Sequence, residues 1–398
     1  MKSGKFKKAV SFFALASVFT MAGCQKDEIL EEAVPTPSEP TATSSAVAGK
    51  YIVVLKDGST SSESLRERVL GAHRIKRERI KQVFDGASDG FAGSLSREEV
   101  EALKADKDVA YIEPEQAVML GKPLKTTTNS TTSTSSTTTT TTTTTSTQEI
   151  PWGVARVGYG DGTGKTVWVI DSGVDTDHPD LNVDVARSKS FISGVTSVED
   201  GYGHGTGVAG IIGAKNNNIG VVGVAANATI VALRVFDDTG YGTLTRIYSA
   251  LNHVYKNGKP GDVVNMSLRV DGSTLLDDLV KKTAARGIYI AIAAGNSYID
   301  CKNDSPARVV APNVYVVSNM DSYGKFNSTS NFGTSVKFAA PGTAIRSTSK
   351  NGTYANGNGT SFAAPHVAGI LALNGGRVNS QGTVVGDPDG KADPIALK

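Results

Sequence analysis

Continuous apolar runs in the second half of the chain predict buried strands of a parallel sheet. One run covers residues 166–170 and is followed at once by Asp171, and another covers residues 288–294 and leads into Asn296. Strands that are covered on both faces are almost entirely apolar, as these runs are. Polar residues that follow such strands lie at the edge where α/β sheets build their sites. The pattern therefore predicts an α/β domain with its chemistry near Asp171.

Two runs of small apolar residues predict buried helices that begin at polar residues. Residues 362–369 follow Ser361, and residues 208–214 follow the glycine-rich segment around His204. Glycine before Ser361 allows a close approach of the backbone, and alanine favours the helix after it. Ser361 is therefore expected at a helix N-terminus, where unpaired N–H groups and the helix dipole favour a developing negative charge.

The first third of the chain shows a different pattern, which predicts a small α+β domain at residues 49–121. Strands are expected at 50–56, 90–95 and 109–114, with a charged amphipathic helix within 62–83. Ser96 and Glu99 have the spacing of a capping box that opens a further helix to Leu103. The other expected segments are a signal peptide at 1–23, a disordered tether at 24–48, a Thr/Ser-rich linker at 122–147 and the large domain at 148–398.

The N-terminal segment carries export signals. Four lysines precede an apolar run over residues 9–22, as in a signal peptide. Residues 21–24 resemble the lipobox of bacterial lipoproteins, which implies acylation of Cys24, with palmitate among the acyl groups, and anchoring to a bacterial membrane. An unmodified cysteine is the alternative. Residues 25–28 resemble an acidic tag that sends lipoproteins to the outer face of the outer membrane. The expected location is thus outside the cytoplasm, with release after cleavage of the small domain.

Composition narrows the function further. The 398 residues include 41 basic and 39 acidic side chains, a net charge of +2 that gives no electrostatic case for nucleic acid. The two cysteines are Cys24 and Cys301, so no disulfide framework is expected. No apolar run after residue 23 is long enough to span a bilayer.

Ser361 needs a base and an orienting acid, because a serine hydroxyl alone is a poor nucleophile. Among five histidines, His204 lies in the glycine-rich segment, and Asp171 lies at the end of a predicted strand. Each has an ordinary alternative to catalysis, which for Asp171 is a turn or capping residue. Together they form a candidate Asp–His–Ser triad.

The segments around Asp171, His204 and Ser361 resemble the three signatures of the subtilisin family of serine proteases, in the order of that family. The resemblance covers roughly residues 148–375. It implies a subtilisin-like three-layer α/β fold with a mostly parallel central sheet, preceded by a small α+β propeptide domain at 49–121 that inhibits the enzyme. It also implies a self-processed serine endopeptidase that acts on polypeptides through an acyl-enzyme, with Asn296 as the side-chain donor of the oxyanion hole.

The resemblance also implies a substrate cleft. Ser267 and Leu268 belong to the segment that pairs with the substrate backbone, and three further residues form a wall of the pocket for the residue before the cut: Ala293, Ala294 and Gly295. Arg269 departs from the family pattern, where glycines usually follow. It either crowds the groove, favours acidic side chains or points into solvent.

A calcium loop is implied by residues 214–221, which resemble the loop after the catalytic histidine in subtilisins. Calcium needs six to eight oxygen ligands. The implied ligands are the side chains of Gln148, Asp180 and Asn217 and the carbonyls of Lys215, Ile219 and Val221. An asparagine-rich turn without metal is the alternative.

Three questions stay open. Processing is expected either near Met119 and Leu120 or close to Gln148. The chain turns polar soon after Gly375, so the last packing layer of the fold is expected to be altered or absent. A surface-anchored adhesive lipoprotein on a protease fold is the alternative function, and a catalytically silent relative is disfavoured by the intact Asp171, His204, Ser361 and Asn296.

Overall fold

The computed structural model describes residues 43–56, 62–121 and 148–398. The expected signal peptide, Cys24, the first part of the tether and the Thr/Ser-rich linker lie outside these ranges. Within the described ranges, no helix combines the length and the apolar character needed to cross a bilayer.

The first described ranges form an antiparallel sheet with two helices. Their elements are β1 (Thr43–Leu55), α1 (Ser62–Ala72), β2 (Ile80–Phe84), β3 (Gly90–Ser94), α2 (Arg97–Lys104) and β4 (Val109–Met119). The strands lie in the order β4-β1-β3-β2. The predicted capping box is confirmed, because the Ser96 hydroxyl accepts the Glu99 N–H and the Glu99 carboxylate accepts the Ser96 N–H.

One prediction for this region was wrong. Residues 43–48 were expected in a disordered tether, but they begin β1, and residues 43–46 pair with β4, with Thr43 opposite Met119 and Ala46 opposite Gln116. The exposed edge of β4 supplies main-chain partners that a composition rich in Ser, Thr and Ala does not reveal. The strand β2 was also missed, since only its last residue, Phe84, is buried.

The large domain is built around a nine-stranded sheet. Its helices are α3 (Trp152–Val157), α4 (His204–Gly213), α5 (Leu244–Asn257), α6 (Thr274–Ala285) and α7 (Thr360–Asn374). Its strands are β5 (Gly160–Asp161), β6 (Thr166–Asp171), β7 (Lys189–Ser190), β8 (Ala225–Ala226), β9 (Thr229–Arg234), β10 (Tyr241–Thr243), β11 (Val263–Met266), β12 (Val270–Asp271), β13 (Tyr289–Ala293), β14 (Asp304–Ser305), β15 (Val314–Met320), β16 (Val336–Pro341), β17 (Ile345–Ser349), β18 (Thr353–Gly357), β19 (Asn379–Thr383) and β20 (Pro394–Leu397). The sheet order is β19-β20-β16-β15-β13-β11-β6-β9-β7, and all neighbours are parallel except β19 and β20.

Each face of this sheet contributes to a separate apolar core. Successive residues of β6 alternate between them: Val167 and Val169 pack with α4 and α7, whereas Trp168 and Ile170 pack with α5 and α6. Two layers of helix on a parallel sheet give a three-layer arrangement, and they explain why the strand sequences are apolar on both faces.

The small domain covers α5 and α6. Phe84, Val118 and Leu120 belong to the same core as Tyr248 and Leu251 of α5. The main chain of β10 extends the small sheet by pairing antiparallel with β4. The two domains therefore share both an apolar core and a sheet.

The C-terminal segment after α7 forms strands and not a further layer of helices. The helix α7 ends before Gly375, which has a left-handed conformation with φ of 57°. The chain then forms β19 and β20, and β20 joins the edge of β16. The last layer is thus altered, with two strands at the sheet edge.

Candidate active site

Three elements end or begin at the edge of the sheet where the candidate catalytic residues lie. Asp171 is the last residue of β6, His204 is the first residue of α4, and Ser361 lies in the first turn of α7. Gly205 permits this meeting, because a Cβ there would be 2.1 Å from the carbonyl oxygen of Gly173. Only glycine lets the first turn of α4 approach the end of β6 so closely.

The imidazole of His204 is oriented by Asp171. Its Nδ1 lies 2.8 Å from Oδ1 and 3.0 Å from Oδ2 of the carboxylate. Since a carboxylate accepts, Nδ1 carries the proton and Nε2 is left as the basic nitrogen. Burial lowers the pKa of His204, but the charge and hydrogen bond of Asp171, with a contribution from Asp200, outweigh it and raise the pKa above its ordinary value.

Asp200 is a residue of this site that the sequence analysis did not single out. Its buried carboxylate accepts hydrogen bonds from the Ser172 hydroxyl (2.8 Å), the Gly203 N–H (2.7 Å) and the N–H and hydroxyl of Thr206 (2.8 and 2.7 Å). These bonds fix the start of α4 to the end of β6. The signal was its place at the start of the glycine-rich segment before His204, although a turn aspartate gives the same pattern.

The first turn of α7, which carries Ser361, lies beside the imidazole. The ring of Phe362, the next residue, packs edge-to-face on His204 with 5.7 Å between ring centroids. The Ser361 hydroxyl donates to the Ser267 carbonyl at 3.4 Å, and the Ser267 hydroxyl donates to the Ser361 carbonyl at 2.8 Å. The structure thus joins Asp171 to His204, brings the first turn of α7 against the imidazole and places Ser267 against Ser361.

The side chain of Asn296 is fixed by Thr360, the residue before Ser361. Its Oδ1 accepts the Thr360 N–H at 2.9 Å and the Thr360 hydroxyl at 3.0 Å. A Cβ on Gly359 would lie 2.8 Å from Asn296 Nδ2, so the donor nitrogen lies against the glycine that precedes α7. The carboxamide donor is therefore held at the N-terminus of α7.

The expected substrate-contacting residues lie on two facing segments. Ser267 and Leu268 follow β11, while Ala293, Ala294 and Gly295 close β13 next to Asn296. All five occupy buried positions: Ser267, Leu268, Ala293, Ala294 and Gly295. The second segment is tied to α7, since the Gly295 N–H donates to the Thr360 hydroxyl at 3.0 Å.

Arg269 does not point into solvent. Its side chain is 13% exposed, and its Nη2 lies 2.7 Å from Oδ1 of the buried Asp304 and 3.4 Å from Oδ1 of Asp271. Of the three alternatives for Arg269, the one in which it points into solvent is therefore excluded.

The expected calcium ligands converge on one side chain. Gln148 Nε2 lies 2.5 Å from the Lys215 carbonyl, 3.0 Å from the Val221 carbonyl and 3.3 Å from Asn217 Oδ1. Asp180 Oδ2 accepts the Val221 N–H at 3.0 Å, and Asp180 Oδ1 is buried without a partner among the described residues. Ile219 lies in the same loop, where its N–H donates to Asn217.

The expected calcium ligands do not include a cluster of acidic, histidine or cysteine side chains. In the parts of the chain that the structure describes, no three of them are clustered to hold a metal ion. Any ligand set here is therefore made mainly of carbonyl and carboxamide oxygens.

Comparisons with known proteins agree with the fold. Residues 162–381 match the model of the subtilase family, and residues 50–121 match the model of the peptidase inhibitor I9 family. Subtilisin E of Bacillus subtilis (strain 168) is 33% identical over 374 residues, which cover 91% of this chain and 86% of the relative. The alkaline protease of Alkalihalobacillus alcalophilus is 37% identical over 287 residues, 70% of this chain and 67% of the relative. A crystal structure of a cold-adapted subtilisin-like serine proteinase is 34% identical, with a TM-score of 0.56, and covers 62% of this chain and 97% of that chain.

Proposed function

The chain belongs to the subtilase family and is a serine endopeptidase with an inhibitory propeptide domain, and we propose that Asp171, His204 and Ser361 are its catalytic residues. The observation that carries this proposal is the orientation of His204. Its Nδ1 donates to Asp171, so its basic Nε2 is the nitrogen left for Ser361.

In the proposed reaction, Ser361 Oγ turns from the Ser267 carbonyl towards His204 Nε2 and attacks the carbonyl carbon of the scissile bond. His204 takes the proton from Oγ and later gives it to the leaving amine, which departs with the C-terminal part of the substrate. Water then attacks the acyl-enzyme with His204 again as the base. Asp171 holds the tautomer and stabilises the imidazolium, which agrees with the raised pKa of His204.

Two donors are proposed for the oxyanion. They are the Asn296 side-chain nitrogen and the Ser361 main-chain N–H at the start of α7. The hydrogen bonds from Thr360 support this role, because they fix the Asn296 carboxamide before any substrate arrives. Donors that are fixed in advance need no reorganisation when the charge develops.

The decisive test is Ser361→Ala. We expect casein cleavage to fall by a factor on the order of 10⁶, because the nucleophile and its base act as a unit, and we expect the small domain to stay covalently attached. Ser380→Ala, in the exposed strand β19, is the control. Normal turnover by the Ser361→Ala protein would overturn the mechanism and would favour the alternative hypothesis of an adhesive lipoprotein.

We also propose a structural calcium ion at the loop around Asn217. Three oxygens converge on the side-chain amide of Gln148, and exchanging its nitrogen and oxygen by a half-turn would put a fourth oxygen among them. Oxygens grouped in this way repel one another unless a cation joins them, and the unpartnered Asp180 Oδ1 adds negative charge. The residues therefore fit Ca²⁺, which would crosslink residue 148 to the loop and take no part in the chemical step.

Calcium is tested by its effect on stability. We expect a chelator to lower the melting temperature of the Ser361→Ala protein, and the Asn217→Ala variant to lose most of this response. Asn257→Ala, at the exposed end of α5, is the control. An unchanged melting temperature with chelator, together with no heat of binding on titration with CaCl₂, would exclude the site.

For the location, we propose export and lipid anchoring through Cys24. The lipobox-like residues 21–24 and the acidic residues 25–28 support it. The anchor precedes the propeptide domain, so cleavage between the two domains would free the peptidase from the membrane. Labelling of cells with a palmitate analogue should mark the precursor and not Cys24→Ala, with Cys301→Ala as the control; labelling of both variants would reject the anchor.

A further inference from the structure

We propose that Arg269, held across the cleft beside Ser361 by Asp304, restricts the residue on the acyl side of the cleaved bond to glycine, alanine or serine. This inference rests on the proposed function, because it names the substrate class of the same site. It also makes Gly121 the residue after which the chain first cuts itself.

The strand β4 shows how a peptide lies in the cleft. Residues 117–119 pair with β10, and the Leu120 N–H then donates to the Gly240 carbonyl at 2.9 Å. On the other side of β4, the Gln116 side chain accepts the Asp271 N–H at 2.9 Å and donates to the Asp271 carbonyl at 3.2 Å. Residues 43–46 of β1 pair with this edge of β4, and the Ser44 hydroxyl also accepts the Asp271 N–H at 2.8 Å. The segment therefore extends along β10, as an extended substrate would, and contacts the residues after β11 through the Gln116 side chain.

Gly121, the residue that follows Leu120, contacts the segment that leads to His204. The hydroxyl of Tyr202 is hydrogen-bonded to the carbonyl of Gly121. Tyr202 is two residues before His204 in the chain and belongs to the same buried segment. The small domain thus presents a residue without a side chain at the end of the cleft that holds the triad.

Arg269 spans the gap between the two walls of the pocket at this point. The hydrogen bond from Ser361 to Ser267 places the segment after β11 against the nucleophile. Gly295, next to Asn296, lies on the facing wall. A Cβ on Gly295 would be 3.6 Å from Arg269 Cδ, so the arginine stem reaches from one wall to van der Waals distance of the other.

The far end of Arg269 is anchored. Its Nη2 pairs with Asp304 Oδ1 at 2.7 Å, and the second oxygen of Asp304 accepts Asn331 Nδ2 at 3.0 Å. Asn331 Nδ2 also lies 3.1 Å from the Ala294 carbonyl of the opposite wall. The carboxylate is 3% exposed, and a buried ion pair with further hydrogen bonds resists separation. The stem therefore does not swing aside to admit a large side chain.

Charge excludes the alternative that the pocket attracts acidic residues. The guanidinium of Arg269 already faces the carboxylates of Asp304 and Asp271. Two negative groups against one positive group leave no positive charge for an incoming Asp or Glu. The space is too small for large apolar side chains and offers acidic ones no attraction, so small residues remain.

The test uses internally quenched peptides with the sequence of residues 116–125, in which position 121 is Gly, Ala, Leu, Phe or Glu. For the mature wild-type enzyme we expect kcat/KM at least tenfold higher with Gly or Ala than with Leu or Phe. In Arg269→Ala, kcat/KM for the Phe peptide should rise tenfold or more, a range that an added pocket volume of a few methylenes provides. Arg308→Ala, whose arginine pairs with buried Asp277, is the control and should keep the wild-type ratio.

A second variant separates volume from charge. Asp304→Asn removes the partner of Arg269 and should raise cleavage of the Glu peptide relative to the Ala peptide. Melting temperatures show whether each variant is folded. If a variant is not folded, the preference of the wild-type enzyme among the five peptides is the test, and equal cleavage of the Phe or Leu peptide and the Ala peptide overturns the proposal. The mass of the propeptide released from the wild-type precursor should correspond to a C-terminus at Gly121.

The outcomes are distinguishable. Peptides that stay uncut, with no difference between wild type and Ser361→Ala, would contradict the proposed function. Cleavage that depends on Ser361 but accepts Phe or Leu as well as Ala, or a ratio unchanged in Arg269→Ala, would overturn the role of Arg269 alone. A propeptide that ends at a large residue would also overturn it.

Discussion

At the scale of single residues, the Asn296 carboxamide combines a fixed oxygen with a donor nitrogen at the start of α7. We expect Asn296→Ala to lower kcat by about 10²–10³, because a donor of this kind contributes about 2.7–4 kcal/mol in this family. KM should change little, since the bond forms mainly in the transition state. Steady-state kinetics on a peptide substrate measure both, with the exposed Asn303→Ala as the control. A rise in KM at unchanged kcat would assign Asn296 to substrate binding instead.

His366 illustrates a histidine with a structural role. Its Nδ1 donates to the Phe362 carbonyl at 2.8 Å, and its Nε2 is buried without a partner among the described residues. A Cβ on Gly153 would lie 2.5 Å from this Nε2, so α3 seals the ring from water. Burial lowers the pKa of His366 to about 4.

This lowered pKa predicts a loss of stability in acid. The unfolded chain binds the proton near pH 6.5, whereas the folded protein resists it until about pH 4. The contribution is fully present above pH 6.5 and is lost as the pH falls through this window, by up to about 3 kcal/mol. Urea unfolding of the Ser361→Ala protein should show this loss, and the His366→Gln variant should show less of it. Equal pH dependence of the two proteins would contradict the assignment.

At the scale of elements, two glutamates of the small domain bind the N-termini of α5 and α6, the helices of the large domain against which it packs. Glu113 accepts the Ser273 hydroxyl at 2.6 Å and the Leu275 N–H at 2.9 Å at the start of α6. Glu115 accepts the Thr245 N–H at 3.0 Å at the start of α5. Carboxylates at helix N-termini satisfy unpaired donors and interact favourably with the dipole.

These contacts predict weaker inhibition when Glu113 is truncated. Two hydrogen bonds to a charged acceptor are lost, so we expect Glu113→Ala in a propeptide fragment of residues 43–121 to raise its inhibition constant about 10–100-fold. The fragment has its own apolar core around Phe91 and Leu103. Glu101→Ala, on the exposed face of α2, should inhibit as the unaltered fragment does. An unchanged constant for Glu113→Ala would show that these bonds add nothing to binding.

Local pattern predicted the elements whose own residues decide their structure. Examples are the apolar run of β6, the small-residue helix α7 and the capping box of α2. The positions of Asp171 and Asn296 at or after the ends of buried strands were predictable for the same reason. The partners of β4 could not be predicted, because the pairing of residues 43–46 and of β10 depends on main-chain groups that distant segments supply. The same holds for Arg269, whose position depends on Asp304, 35 residues further along the chain.

At the scale of the whole molecule, the two domains form one folded unit through a shared apolar core. Phe84 belongs to the core of α5 and α6 and not to the core of the small domain. Its ring packs edge-to-face on Tyr248, with 4.7 Å between centroids. The next residue before it, Val83, is 41% exposed on the same strand. Changes at Phe84 and Val83 affect the same strand, but only Phe84 belongs to the core shared with the large domain. Comparing them therefore distinguishes an effect on docking of the small domain from an effect on folding of β2.

We therefore expect Phe84→Ala to weaken the contact between the two domains of the precursor, whereas Val83→Ala should have little effect on it. The change is made in the Ser361→Ala protein, so that the bond between the domains stays intact. Removing a buried phenylalanine typically costs about 3–5 kcal/mol, and here most of that loss falls on the contact between domains, because the small domain keeps its own core. Calorimetry should show a lower melting temperature for the Phe84→Ala precursor, and hydrogen exchange should show faster exchange at β4 and β10, whose pairing depends on docking. If Phe84→Ala and Val83→Ala shift the melting temperature equally, or if exchange rises only within the small domain, the shared core does not hold the two domains together.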